Sequence, residues 1–289
     1  MNKTLTATII IITLIAIVGI YQLSNPKKET LRISTTTSLE DTGLLEELEA
    51  AFEKEYPNID VQIVSGGTGV ALERGKKGDA DLIIVHDKKR EEEFINEGYG
   101  TKRYPFAYNY FYIVGPKDDP AKINKTKTAK EAFQKILTEA GKNSKVKFVS
   151  RGDNSGTHAR EIEIWNKTGM DYNGIKESSW YIETGSGMAD TLRVADEKQA
   201  YTLTDSGTYL AYENRLNLTV YITNGSDLLN IYTAIPINPE IKGTNYDAAM
   251  KFINFLLSKE GQKIIGEYGE DKYGKPLFIA ISGTEPYHG

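Results

Sequence analysis

Four short segments of the chain gather hydroxyl and glycine residues immediately ahead of helical periodicity. They are Thr35-Thr-Thr-Ser38, Ser65-Gly-Gly-Thr-Gly69, Arg151-Gly-Asp-Asn-Ser-Gly-Thr157 and Thr184-Gly-Ser-Gly187. The start of a helix leaves backbone N–H groups without partners, and the helix dipole adds positive potential there, so such a turn favours an anion. Ser and Thr supply further donors on short stems, and glycine allows close backbone approach. One turn of this kind is ordinarily a helix N-cap and nothing more. Four in one chain, one of them containing an arginine, point to an oxyanion site. Arg151 offers a planar fork of donors to two oxygens of one anion. Ser155, Gly156 and Thr157 would add hydroxyl and amide donors. Asp153 is acidic and unsuited to touch an anion; its expected task is to pair with Arg151 and hold the guanidinium. The plain alternative is a surface Arg–Asp pair in a turn, worth little.

The elements that must position these turns are legible in outline. The chain has 289 residues, a net charge of -5, 39% hydrophobic and 26% charged residues, and no cysteine. This is the composition of a globular protein of one large or two smaller domains. It excludes disulfides, thiol catalysis and Cys-ligated metal centres, and the acidic balance argues against nucleic acid as a partner. The segment from Leu5 to Leu23 is apolar and uncharged, and Pro26, Lys27 and Lys28 end it. As a helix rising about 1.5 Å per residue it matches the thickness of a bilayer core. No small-residue cleavage site stands out after it, so an uncleaved membrane anchor is expected over a cleaved signal. Residues 1–30 form the anchor or signal plus its tether, and the remainder is extracytoplasmic.

Strand and helix patterns then alternate. Leu31 to Thr36, Val61 to Val64 and Asp81 to Val85 read as strands. Leu44, Leu45, Leu48, Ala51 and Phe52 share one helix face. A short helix through Leu72 and a charged helix from Lys88 to Glu97 complete a βαβαβ unit, which implies a parallel sheet flanked by helices. Further strands are expected at Phe111 to Val114, Val146 to Ser150, Ser179 to Glu183, Ala200 to Thr204 and Ile231 to Ile237. Helices are expected at Thr128 to Thr138, Thr157 to Lys167 and Tyr246 to Leu257. Tyr108 to Val114 and about Leu229 to Ile237 are candidate crossings between two α/β lobes.

Arg-x-Asp-x-Ser-Gly-Thr at 151–157 resembles the oxyanion loop of periplasmic phosphate-binding proteins. Taken with Thr35-Thr-Thr-Ser38, Thr42-Gly43-Leu44-Leu45, Gly78-Asp-Ala-Asp81, Val85-His86, Glu97-Gly-Tyr-Gly100, Tyr201-Thr-Leu-Thr-Asp205 and Gly207-Thr-Tyr209, it is similar to the tungstate-binding solute receptors of ABC importers, over about residues 31–260. That resemblance implies an α/β, two-lobed type II periplasmic-binding-protein fold, each lobe a mostly parallel sheet flanked by helices. The expected division is 31–108 with 229–289 for the first lobe and 109–228 for the second. By motif, Thr36, Thr37, Ser38 and Thr68 would donate to the ligand from the first lobe, and Arg151, Ser155, Gly156 and Thr157 from the second. Gly185 to Met188 would be a second-tier contact. The implied partners are a tetrahedral oxyanion, an ABC permease with its ATPase, and the membrane through the N-terminal segment. A monomer without cofactor or metal is expected, tungsten being bound only as its oxyanion.

Tungstate, molybdate and sulfate carry no proton near neutral pH, so their oxygens only accept. Phosphate keeps a proton and needs an acceptor, which phosphate receptors supply with an Asp on the first lobe. Asp79, Asp81 and His86 lie near that region, and Asp81 reads as the start of a strand rather than a ligand contact. Molybdate, sulfate and phosphate remain alternatives, and only the resemblance favours tungstate. A secreted serine hydrolase is the rival class, with Ser155, His158 and Asp205 as its residues. The chain has no Gly-x-Ser-x-Gly elbow, no His-Glu-x-x-His and only three histidines, and His158 reads as a solvated or packing residue on the first turn of a helix. The P-loop and dinucleotide fingerprints also fail.

Overall fold

The computed structural model describes residues 28–286. The apolar N-terminal segment lies outside the described residues. Among those described, no helix is long and apolar enough to cross a membrane.

Strand β1 (Glu29–Thr36) is the axis of the first lobe. It pairs in parallel with β2 (Ile59–Gly66) along its whole length, from Glu29↔Ile59 to Thr36↔Gly66, and on its other edge with β3 (Leu82–Val85). Between them run α1 (Thr37–Glu40), α2 (Leu44–Glu55) and α3 (Thr68–Lys77), and after β3 comes α4 (Lys88–Asn96). All four residues of β3 are buried, as expected for a parallel strand covered on both faces. Its side chains alternate between two cores. Leu82 and Ile84 join Leu31, Ile33, Leu45, Phe52 and Phe252 on one face. Ile83 joins Leu72, Phe94 and Ile235 on the other.

Strand β4 (Tyr104–Pro116) is 13 residues long and changes partners midway. Tyr104 to Tyr110 pair antiparallel with β9 (Leu229–Pro236), whose far side pairs antiparallel with β3. From Phe111 onward β4 pairs with β7 (Thr202–Asp205) and, at Ile113 to Pro116, with β8 (Leu218–Ile222). A short β10 (Ile279–Ala280) closes the edge at Ala107 and Tyr108. The order is therefore β10-β4-β9-β3-β1-β2. In the second lobe β5 (Phe148–Ser150) pairs in parallel with β6 (Tyr181–Glu183). Its helices are α5 (Ala129–Ala140), α6 (Gly156–Lys167), α7 (Tyr172–Lys176), α8 (Met188–Lys198) and α9 (Ser206–Tyr212). They enclose an aromatic core in which the Trp165 ring lies 4.4 Å from Phe133 and 5.1 Å from Phe148. The chain returns to the first lobe in α10 (Tyr246–Leu257), α11 (Lys259–Glu267) and α12 (Glu270–Tyr273).

The parallel order expected from βαβαβ holds for β1, β2 and β3. The antiparallel pairings all involve β4 or β9, and β4 is the strand that pairs in both lobes. The strand read at Phe111 to Val114 is the second half of β4. Helix α3 continues past Leu72 to Lys77 and stops at Gly78, whose φ of 73° is left-handed. A Cβ there would lie 2.9 Å from the Lys242 carbonyl. Asp81 is fully buried at the start of β3, where Arg32 grips it through Nη2 at 2.6 Å and Nε at 3.1 Å. It sits at the opposite end of β3 from the turns described below, so it is a structural carboxylate.

Gly115, late in β4, is required by contact. A Cβ at this position would fall 2.2 Å from Tyr201 Cδ1. Tyr201 cannot yield easily, because its hydroxyl donates to Asp119 Oδ1 at 2.7 Å and accepts from the Ala121 amide at 2.9 Å. Gly115→Ala is expected to cost about 1–3 kcal/mol by overpacking. Chemical denaturation checks this; a variant as stable as the parent would show that β4 and Tyr201 do not pack this tightly.

Candidate anion-binding cleft

The turns singled out in the sequence meet at the carboxyl ends of the strands, where ligands of α/β sheets are held. In the first lobe β1 runs directly into α1. Thr35 is fixed by donating its hydroxyl to the Ile84 carbonyl at 3.0 Å. Thr36 and Ser38 are buried, with their hydroxyls 3.4 Å apart, and Thr37 is half-buried. Thr68 begins α3 and is fully buried, and its hydroxyl has no hydrogen-bond partner.

The second lobe contributes the β5–α6 turn. Arg151 is only 3% exposed. Its Nε and Nη2 donate to Asp153 Oδ2 at 3.1 and 2.5 Å, and Nη2 reaches across the cleft to within 3.5 Å of Thr37 Oγ1. The pairing expected for Asp153 is thus present, and it is a buried clamp rather than a surface pair. Ser155 is the N-cap of α6: its Oγ accepts from the His158 amide at 3.2 Å, and its own amide donates to Asp153 Oδ1 at 3.1 Å. Gly156 packs against the His86 ring of the other lobe, so that a Cβ would stand 2.7 Å from His86 Cε1. Thr157 is 1% exposed, and its hydroxyl, like that of Thr68, lacks a partner. All eight sequence-predicted donors therefore lie on turns that face one another. The Thr184–Gly187 turn behaves differently. Thr184 Oγ1 contacts the Ser150 and Arg151 carbonyls, and the Gly185 amide donates to the Arg151 carbonyl at 2.8 Å. It braces the arginine from behind.

Two buried hydroxyls without partners are costly, each by roughly 1–3 kcal/mol. One begins α3 and the other lies in the first turn of α6, directly after the Arg151 turn.

His86 was legible only as the residue after β3, and the structure gives it a place. It is 6% exposed, and its Nε2 lies 3.3 Å from Ser38 Oγ. Burial, with Arg151 and Arg90 nearby and Asp87 opposing them, lowers its pKa to about 4. The ring is thus neutral at neutral pH. Behind it, Asn230 of β9 donates to Asn109 of β4 at 2.8 Å, a side-chain bond between the two strands.

Two further carboxylates, Asp205 and Asp87, are engaged. Asp205 is the N-cap of α9, where its two oxygens accept from the Thr208 amide at 2.7 Å and hydroxyl at 2.8 Å. Asp87 caps α4 and holds Arg90. His158 does not form a nucleophile–base pair with Ser155. Its Nδ1 accepts from the Asn154 amide at 3.0 Å, and its Nε2 is bonded to the Tyr172 hydroxyl at 2.8 Å. The ring orients the oxyanion turn, more than the packing role expected of it.

A model of the PBP superfamily domain matches residues 22–260. The chain belongs to the periplasmic-binding-protein superfamily. Among its relatives, the tungstate-binding protein TupA of Peptoclostridium acidaminophilum is 41% identical over 254 residues, covering 87% of this chain and 85% of the relative. The solved structure of the tungstate ABC transporter from Geobacter sulfurreducens is 42% identical with a TM-score of 0.73, covering 83% of this chain and 99% of the other. The tungstate-binding protein TupA from Desulfovibrio alaskensis G20 is 38% identical with a TM-score of 0.74, covering 88% and 99%. The two-lobed type II fold expected of this superfamily is the one observed.

His86 offers a direct check of cleft geometry. Its pKa in the folded protein lies below the ordinary 6.5, so its contribution to stability is full above pH 6.5 and is lost as pH falls from there through about 4. Buried Glu91 and Glu161, both pushed up to about 7 by burial, change stability in the opposite sense as pH rises. The ring itself must therefore be read. An NMR titration is expected to show His86 neutral at pH 5.5, and a midpoint at 6.5 would mean a solvated ring.

Proposed function

We propose that this protein is a solute-binding receptor that captures a tetrahedral, fully deprotonated oxyanion, foremost tungstate, between its lobes for an ABC permease and its ATPase. The observation that carries the reading is the buried Arg151 guanidinium, held by Asp153 and reaching Thr37 of the facing turn, with buried, unpartnered hydroxyls at Thr157 in the following helix and at Thr68 of the turn that approaches Asp153. Thr36, Thr37, Ser38 and Thr68 donate from one side; Arg151, Ser155, Gly156 and Thr157 donate from the other. Asp153 holds the arginine and leaves its Nη1 without a partner among the described residues. We infer the lobes to be 31–108 with 229–289, and 109–228, because β4 exchanges β9 for β7 between Tyr110 and Phe111.

The lining supports an ion that only accepts. Asp153, Asp205 and Asp87 all have both oxygens engaged by internal donors. A hydrogen phosphate would find none of these three free to take its proton. Tungstate is favoured over molybdate by the relatives alone. In this reading the chain performs no chemistry on its ligand and acts as an extracytoplasmic monomer. The N-terminal segment tethers it to the membrane. Hydrogen bonds to a charged ligand contribute about 1.5–3 kcal/mol each. Several of them, less dianion desolvation and closure, reach roughly −12 kcal/mol, near nanomolar.

Thr157→Val and Thr68→Val separate this reading from a merely polar groove. Valine keeps the branched shape and removes an unpartnered polar group, so the empty protein is expected to be equally or more stable. Tungstate affinity is expected to fall about tenfold to a hundredfold per substitution. Calorimetric titration of parent and variants with tungstate, molybdate, sulfate and phosphate decides. No heat with any of the four, or affinities untouched by both substitutions, would refute the assignment.

A further inference from the structure

The turn that carries Arg151 is gripped from across the cleft by a second guanidinium. Arg90 belongs to α4 in the first lobe, and Asn154 to the β5–α6 turn in the second. Arg90 Nη1 donates to the Asn154 carbonyl at 3.0 Å. The guanidinium is aimed by its own helix: Asp87, the N-cap of α4, accepts from the Arg90 amide through Oδ1 at 3.2 Å and from Arg90 Nε through Oδ2 at 2.6 Å. The remaining Nη2 is buried without a protein partner.

Asn154 is equally prepared. Its φ is 59°, a left-handed value that few residues other than glycine adopt and that asparagine tolerates. Gly152, two residues earlier, is also left-handed at 60°. The Asn154 amide is held by His158 Nδ1 at 3.0 Å, so the turn is pinned on the second lobe while its carbonyl is presented to the first. The β5–α6 turn also approaches α3: a Cβ on Gly67 would lie 3.8 Å from the Asp153 carbonyl.

We propose that Arg90 is a positioning residue of anion capture, a latch that holds the shut cleft by gripping the Asn154 carbonyl. It touches no anion and acts through the turn that bears Arg151, Ser155, Gly156 and Thr157. This rests on the receptor reading above. With the lobes apart, both groups face water, so the bond favours only the closed state. A contact that exists in one state alone shifts the equilibrium between the two by its own strength. Its loss therefore speeds opening and ligand release and leaves the encounter of ion and open cleft unaltered.

The test uses the full chain and two readouts. Stopped-flow tungstate binding, followed by tryptophan fluorescence in 0.5 M salt, is expected to give a release rate at least tenfold faster for Arg90→Ala, with an association rate within twofold of the parent. Arg90→Lys keeps the charge but has a single nitrogen that cannot hold Asp87 and Asn154 in the same fork, and the same direction of change is expected. A release rate within twofold of the parent in both variants overturns the proposal. So does a loss confined to a salt-dependent association rate, which would make Arg90 a steering charge. The second readout needs no ligand. Because the chain has no cysteine, spin labels at Val70→Cys and Met170→Cys, exposed positions in the first and second lobes, report the distance between lobes. In the anion-free protein Arg90→Ala is expected to shift this distribution to longer distances, and an unchanged distribution overturns the latch. Absence of any tungstate signal in the parent refutes the receptor reading separately, while the label distances still decide the latch.

Discussion

Burial of the Arg151 guanidinium against one carboxylate oxygen is the constraint on which the cleft depends. A charge taken out of water must be matched by counter-charge and by acceptors for its N–H groups. Asp153 supplies part of this. It engages Nε and Nη2, and its other oxygen is tied to the Ser155 amide. The turn thus fixes the arginine's direction while leaving donor capacity and positive potential facing the first lobe. The facing hydroxyls are arranged around that same deficit. Thr68 and Thr157, buried without partners, would be errors of packing in an ordinary core. In the proposed receptor they are the complement of the anion's oxygens.

That arrangement requires two rigid bodies that meet face to face, and the strand plan provides them. β4 and β9 run together as an antiparallel pair, bonded through the side chains of Asn109 and Asn230. β4 continues from its pairing with β9 into pairing with β7 and β8 without a loop between, and β9 stays beside its first half. The contacts that bridge the lobes are few and directional. Arg151 approaches Thr37, Arg90 grips the Asn154 carbonyl, and Gly156 packs on the His86 ring. Gly156 shows why closure depends on shape as well as charge, since the smallest side chain added there would collide with the imidazole.

Much of this was legible in the sequence because it depends on local rules. The periodicities that bury Leu31, Ile33, Leu45 and Phe52 together identify β1 and α2. The hydroxyl and glycine turns identify helix starts, and the Arg-x-Asp spacing predicts the clamp. Other features come from long-range pairing and leave little trace in sequence. Tyr108 to Val114 reads as an extended crossing, but nothing local says that the strand begins at Tyr104 and exchanges its partner between Tyr110 and Phe111. The role of His86 depends on Ser38 and Gly156, 48 positions before it and 70 after it. Arg90 looks like any exposed cation on a charged helix until Asn154 is placed across from it. His158 follows the same logic: a histidine on a first helical turn is unremarkable until its ring is found holding the amide of Asn154.

Selectivity follows from which groups near the anion remain free. An oxyanion that retains a proton needs an acceptor, and a carboxylate already gripped by two donors is a poor one. Asp153, Asp87 and Asp205 are all in that condition, each serving a cap or an arginine. His86 could supply an acceptor lone pair as a neutral ring, but Ser38 lies against its Nε2 and its Nδ1 is buried against Gly156. Protonating the imidazole would add a donor and a charge, which burial and two nearby arginines oppose.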